Sequence, residues 1–304
     1  MVKIECMKDM QVVKEGWFSF STLLLIGLTV LMGAVYVFIP LFSAGLVIAI
    51  IAGILFLLRL LNRAAENFPD PLAKWVHCIH ATVFECFSFV LVLCFIPLRL
   101  KNGRKTGQGR PILLVHGYLN NNFVWVLHKY YLEKAGLGPI YTITLKNPIT
   151  SIRAYANQVQ IKADEIAKKT GRDDLILVGH SMGGLVSALY ACTLAPKGKV
   201  TDVITISSPF KGTPVAYIGL GRNAREMWPN SELSKEIRTA ISQNTQIRFY
   251  HTAVVWDELV VPGTSALLGD RADRQMVLED IAHISTLFSR RITRKIYDWI
   301  KKTH

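Results

Sequence analysis

The order of apolar and polar positions divides this chain into two parts. From Trp17 to Ile39 no residue is charged, and after Pro40 the run from Leu41 to Leu58 is again uncharged, ending at Arg59. A helix rising 1.5 Å per residue needs about 20 apolar residues to cross a bilayer. Residues 17–39 and 41–61 therefore read as two spans, the second completed by Arg59 reaching the interface along its aliphatic stem. Both are too long for the apolar segment of a cleavable signal peptide, which runs to about 7–15 residues. A third run, 75–98, is mixed. His77, His80 and Glu85 interrupt its first half, and only Cys86–Leu98 is free of ionisable side chains other than cysteine. Ionisable groups are expensive in lipid, so this segment either crosses with its polar residues at one end or lies in the interface. Its His and Glu residues suit a helix end facing the head-groups better than a metal or proton site.

After residue 110 the pattern changes. Short apolar runs at 112–115, 140–145, 175–178, 203–207 and 251–256 suit strands. Ser151–Thr170 is an amphipathic helix ended by Gly171, and Leu185–Leu194 is a helix rich in small residues. Apolar strands alternating with helices predict an α/β domain: a mostly parallel sheet flanked by helices. The chain thus reads as a transmembrane helical anchor over 1–100, a polar, glycine-containing linker over 101–110, and a domain over 111–304. About 195 residues suffice for a sizeable core.

Composition sharpens this division. The chain is 51% hydrophobic and 19% charged, with 35 Lys+Arg against 22 Asp+Glu, a formal net charge of +13. Residues 1–109 carry +4 and residues 110–304 carry +9. Such hydrophobicity excludes a disordered chain, and five cysteines in 304 residues exclude a disulfide scaffold. Cys78, Cys86 and Cys94 read as small apolar residues. No nucleic-acid-binding module accompanies the basic surplus, so nucleic acid is not an expected partner. Lys3, Lys8 and Lys14 precede the two spans, and Arg59, Arg63 and Lys74 follow them, with an uncharged turn at Pro40. The positive-inside rule then places the N-terminus in the cytoplasm. Arg99, Lys101, Arg104, Lys105 and Arg110 join that side if 75–98 does not cross, which favours a cytoplasm-facing domain; a crossing third segment is the open alternative. Near the C-terminus, Arg290, Arg291, Arg294, Lys295, Lys301 and Lys302 alternate with Ile292, Ile296, Trp299 and Ile300. That basic amphipathic helix is either a membrane-surface element or the closing helix of the domain.

Candidate chemistry centres on Gly179-His180-Ser181-Met182-Gly183. G-x-S-x-G occurs by chance in roughly one chain of this length in ten, but here it directly follows a strand and opens a helix, as a nucleophile elbow requires. A serine hydroxyl needs a base oriented by an acid. Functional groups in such a sheet gather beyond the carboxyl ends of strands. Asp257, after the 251–256 strand, emerges there, while Asp202 emerges at the opposite end. Of eight histidines, His77 and His80 belong to the anchor, His116, His128 and His180 precede the serine, His251 begins a strand, and His304 is terminal. His283 remains, in the chain order Ser181, Asp257, His283 that such hydrolases use. Asp257 as a plain turn residue, with Glu258 as its substitute, and His283 as a helix cap are the competing readings. The oxyanion donors are assigned to the backbone N–H groups of Met182 and Tyr118, with His116 holding the Tyr118 loop.

Pro-Ile-Leu-Leu-Val-His-Gly-Tyr at 111–118, the Gly-His-Ser-Met-Gly-Gly elbow, the segment Ile206–Thr213, and Trp256-Asp257 with Val261-Pro262 together resemble bacterial triacylglycerol lipases and esterases of the α/β-hydrolase superfamily, over about residues 110–300. The resemblance implies cleavage of carboxylic, lipid-type acyl esters through a serine acyl-enzyme, without a cofactor. The N-terminal anchor lies outside this resemblance, so secretion does not carry over; the apolar spans place the enzyme in a membrane, expected to be a bacterial inner membrane, with the bilayer and a lipid or other acyl ester as partners. In the calcium-containing relatives an acidic residue lies two positions after the catalytic histidine. Here that position is Ser285, so no metal is expected. Residues 209–248 would cap the site, and Tyr118, Leu119, Met182, Phe210 and Leu259 would line the acyl pocket or pack in the core. A phospholipase, an acyltransferase with the same triad, and a catalytically silent membrane scaffold of hydrolase fold are the alternatives.

Overall fold

The computed structural model describes residues 71–101, 109–268 and 274–302, together with Gly53. The spans expected at 17–39 and 41–61, most of the 101–110 linker, and His304 lie outside the described residues. The first described element is helix α1 (Pro71–Phe95). Six strands follow: β1 (Ile112–Val115), β2 (Ile140–Ile143), β3 (Leu175–His180), β4 (Val200–Ile206), β5 (Arg248–Val254) and β6 (Gln275–Leu278). They form one sheet in the order β2-β1-β3-β4-β5-β6, and every pairing is parallel. The order reverses direction between β1 and β3, the position where open α/β sheets leave a crevice at their carboxyl edge.

The strands read as unbroken apolar runs because both faces are covered. Along β1 and β3, Leu113, Val115, Leu175 and Leu177 enter one core, while Ile112, Leu114, Ile176 and Val178 enter the other. This is the period-2 alternation of a strand with no solvent face. Between the strands run α2 (Val126–Lys134), α3 (Ile152–Thr170), α4 (Met182–Leu189), α5 (Arg222–Glu226) and α6 (Glu232–Gln243), and α7 (Arg290–Lys301) closes the fold. Helix α3 obeys local rules at both ends. Ser151 Oγ accepts from Ala154 N at 3.1 Å, and Gly171 takes φ +69° to end the helix.

Packing resolves one expectation and adds one element. The basic C-terminal helix buries Ile292, Ile296, Trp299 and Ile300 against the sheet, so α7 is the closing helix of the domain. The strand missing from the sequence reading is β6, whose half-exposed Gln-Met-Val-Leu holds an apolar run of only three residues, Met276–Leu278. It forms because β5 offers a free edge, with His251 opposite Gln275 and Val254 opposite Leu278.

Helix α1 lies against the domain. Among the described residues, Lys74–Phe95 is long and apolar enough to cross a membrane. Yet Cys78, Ala81, Glu85, Ser88 and Val92, spaced three or four apart, are buried. Trp75, Val76, Ile79, Val83, Phe87, Val90 and Leu93 occupy its exposed side. Its small and polar residues dock and its large apolar ones face out, the reverse of a soluble surface helix. Asn121 satisfies the open carbonyls at its C-terminus, donating to Phe95 O and Ile96 O at 3.2 and 3.1 Å.

Trp299 is completely buried on the inner face of α7. Trp299→Ala is expected to destabilise the fold by about 3–5 kcal/mol through the cavity it leaves, measured by chemical denaturation monitored by circular dichroism.

Candidate active site

Ser181 occupies the turn between β3 and α4 with φ +55° and ψ −128°, a conformation that non-glycine residues rarely adopt. The turn closes only because its neighbours lack side chains. A Cβ on Gly183 would stand 2.3 Å from Val115 O, and one on Gly179 would stand 2.5 Å from Gly183 C. The same crowding brings the 116–119 loop over the serine, since a Cβ on Gly117 would lie 3.0 Å from Ser181 Cβ. His116 fixes that loop: Nδ1 donates to Gly117 O at 2.8 Å and Nε2 accepts from Leu145 N at 2.9 Å. Burial lowers its pKa to about 4, so it is neutral and tied to the backbone. Tyr118 turns its hydroxyl outward, donating to Leu220 O and accepting from Leu220 N, each at 2.8 Å.

Asp257 and His283 meet. Nδ1 of His283 lies 3.0 Å from both carboxylate oxygens of Asp257, and both side chains are buried. Asp257 Oδ1 also accepts from Leu259 N at 3.0 Å and Val260 N at 2.7 Å, which holds the carboxylate in its turn. Burial by itself would lower the pKa of His283. The charge and hydrogen bond of Asp257, aided by the charge of Glu258, outweigh burial and leave it above the ordinary 6.5. The Glu258 carboxyl also hydrogen-bonds that of Glu85 in α1.

Three more buried histidines, His128, His180 and His251, are neutral supports. His180 packs its ring 4.8 Å from that of His283 and lies 3.2 Å from His283 O through Nε2, a role for which the motif position gave no signal. Burial, then the charge of His283, pushes its pKa well down. His128 bridges Thr293 Oγ1 and Thr286 O at 2.8 and 3.1 Å, and His251 contacts Thr205 Oγ1 at 2.9 Å. Burial lowers both to about 4. Asp202 lies at the other end of the sheet, between Arg110 and Arg248 at 2.6 and 2.7 Å.

Ser181 lines a cavity of about 340 Å³ whose walls include Leu119, Pro209, Val215, Ala216, Met227 and Leu259. The 209–248 insertion builds most of it: a short 3-10 helix (Pro214–Ile218) and α5 stand beside the loop after β1. Ile218 and Leu220 at the rim are 85% and 70% exposed. Two residues expected to line this pocket have other places. Phe210 is fully buried in the core, edge-on to His251 at 5.2 Å, because the chain turns inward after Pro209. The Met182 side chain is likewise buried, with Sδ 3.6 Å from Asn223 Nδ2. Thr213, which the sequence did not mark, ties the insertion to the acid loop: its hydroxyl donates to Leu259 O and accepts from Val261 N, at 2.8 and 3.1 Å. Among the described residues, no group of three or more His, Cys, Asp or Glu could hold a metal ion.

The PGAP1-like alpha/beta domain family matches residues 145–248, a stretch that contains Ser181 but neither Asp257 nor His283. No curated protein sequence matches the chain. Among solved structures, the chain is similar to the mature Bacillus licheniformis lipase BlEst2, with a TM-score of 0.53 and 17% identity over 63% of this chain and 91% of that one. It is also similar to a thermophilic esterase from Thermogutta terrifontis (0.44, 17%, 66% and 92%) and to the Paleococcus ferrophilus monoacylglycerol lipase (0.45, 18%, 63% and 95%). The six-stranded parallel sheet with its flanking helices, together with the likeness to BlEst2, gives the domain an α/β-hydrolase fold.

The electrostatics of the His283–Asp257 pair have a direct readout. In an NMR titration the His283 imidazole is expected to titrate above 6.5. Asp257→Asn should bring it below that value, because the charge opposing burial is then gone.

Proposed function

We propose that the protein is a membrane-anchored serine hydrolase that cleaves carboxylic esters of lipid-like acyl chains. The observation that carries this reading is that Ser181, held in a strained turn, lines a cavity walled almost entirely by apolar side chains. The His283–Asp257 pair, on loops at the same end of the sheet, supports it. In the proposed reaction His283 Nε2 takes the Ser181 proton as Oγ attacks the ester carbonyl. The Met182 and Tyr118 backbone N–H groups stabilise the tetrahedral oxyanion. His283 then returns its proton to the departing alcohol, and water repeats the sequence on the acyl-enzyme. The buried Asp257 carboxylate keeps the imidazole in the tautomer with Nδ1–H and stabilises its charged form.

Apolar walls favour an alkyl chain over a polar acyl group, and the exposed Leu119, Ile218 and Leu220 around the cavity suit contact with a lipid surface. The apolar runs 17–39 and 41–61 supply the proposed anchor. No observation favours an acyltransferase over a hydrolase.

Three results test this reading. A fluorophosphonate is expected to label the wild-type serine and leave Ser181→Ala unlabelled; an unlabelled wild type retaining the native circular dichroism spectrum would overturn it. The rate of ester hydrolysis should fall as pH drops through the raised pKa of His283, since only the neutral imidazole accepts a proton. Ala216→Phe, which fills part of the cavity, should shift the preference of p-nitrophenyl ester hydrolysis toward shorter acyl chains.

A further inference from the structure

Glu85 is the one acidic residue in helix α1 and is completely buried. Burying a carboxyl costs several kcal/mol unless its hydrogen bonds are replaced, and here they are. Oε1 accepts from Ile284 N at 2.6 Å and Oε2 accepts from Ser285 N at 2.8 Å. These amides belong to the two residues immediately after His283. The carboxyl also hydrogen-bonds the carboxyl of Glu258, the residue immediately after Asp257. A hydrogen bond between two carboxyl groups requires a proton on one of them. Glu85 therefore touches both loops that carry the acid–base pair, one 173 and the other 199–200 residues away in sequence.

Nearby contacts give this bridge a fixed footing. His80 Nδ1 lies 2.7 Å from Asp280 O and His77 Nδ1 lies 3.2 Å from Glu279 O. A carbonyl only accepts, so each Nδ1 carries the proton. Cys78 and Ala81 pack on Val255, Trp256 and Ala282, between the end of β5 and the His283 loop. On the opposite side, His128 Nε2 donates to Thr286 O and the Thr286 hydroxyl donates to His283 O at 2.6 Å. The His283 loop is thus held between α1 and α2, and the Glu85 carboxyl bonds both to it and to the residue that follows Asp257.

We infer that Glu85 is a positioning residue for the acid–base pair: its carboxyl holds the backbone after His283 against the loop of Asp257, and it makes helix α1 part of the catalytic unit. This inference rests on the serine-hydrolase reading. Glu85 touches neither the proposed substrate cavity nor Ser181, so its effect falls on the chemical step.

The test uses the full chain in detergent, with active sites counted by fluorophosphonate titration. In Glu85→Ala, kcat per titratable serine is expected to fall roughly 10- to 100-fold, while KM stays within about twofold. Glu85→Gln keeps one acceptor oxygen and the side-chain volume and should fall between wild type and Ala. His80→Ala removes another tether of α1 to the same segment without touching these amides, and should leave kcat per serine near the wild-type value. Amide hydrogen exchange over residues 281–289, which needs no activity, should accelerate in Glu85→Ala more than in His80→Ala. A kcat per serine within twofold of wild type in Glu85→Ala, or equal losses in the Glu85 and His80 variants, would overturn the inference. If the wild type neither labels nor turns over while exchange still responds to Glu85, the hydrolase reading fails and Glu85 is a brace without a catalytic role.

Discussion

Everything at the candidate site depends on how closely β1, β3 and α4 approach one another at Ser181. The turn from strand to helix is so tight that the backbone of Gly183 rests against Val115 O, leaving no room for a Cβ. Ser181 can be held at positive φ because the sheet on one side and the helix on the other leave it no alternative. The same approach brings the Gly117 loop over the serine. The strain is local, but its support is the whole buried sheet, whose central strand β3 is covered on both faces.

Burial then sorts the histidines. His116, His128, His180 and His251 are enclosed with backbone or neutral partners, and enclosure pushes each toward the uncharged form. His283 is as deeply buried, yet it faces a carboxylate with both oxygens at hydrogen-bond distance and its pKa moves the other way. One kind of side chain thus occurs as four neutral struts and as one imidazole whose pKa is raised, and the difference is the charge opposite.

Helix α1 precedes the sheet in the chain and packs against it. Its composition is that of a membrane segment, but its docked stripe of Cys78, Ala81, Glu85, Ser88 and Val92 is fitted to the hydrolase fold. The polar residues that make it a poor span are those that hold the loops behind His283 and Asp257. Its outward face keeps the large apolar side chains, so one helix both braces the loops of the candidate site and presents an apolar surface.

Much of this was legible in the residues themselves. Continuous apolar runs identify strands buried on both faces, and five of the six strand cores and the caps of α3 follow from local spacing and chemistry. The glycines around Ser181 mark a close approach because no other residue type fits there. Other features have no local signal. Strand β6 is half exposed and exists only because β5 leaves an edge to pair with. Phe210 and Met182 read as pocket residues by their place in the chain, but the turn after Pro209 and the packing of α4 send both side chains into the core. Glu85 in an apolar segment reads as a defect in a span until two amides about 200 residues later are brought to it. Sequence spacing reports periodicity and local geometry; which distant donor satisfies a buried carboxylate is decided only when separate strands and loops come together at one edge of the sheet.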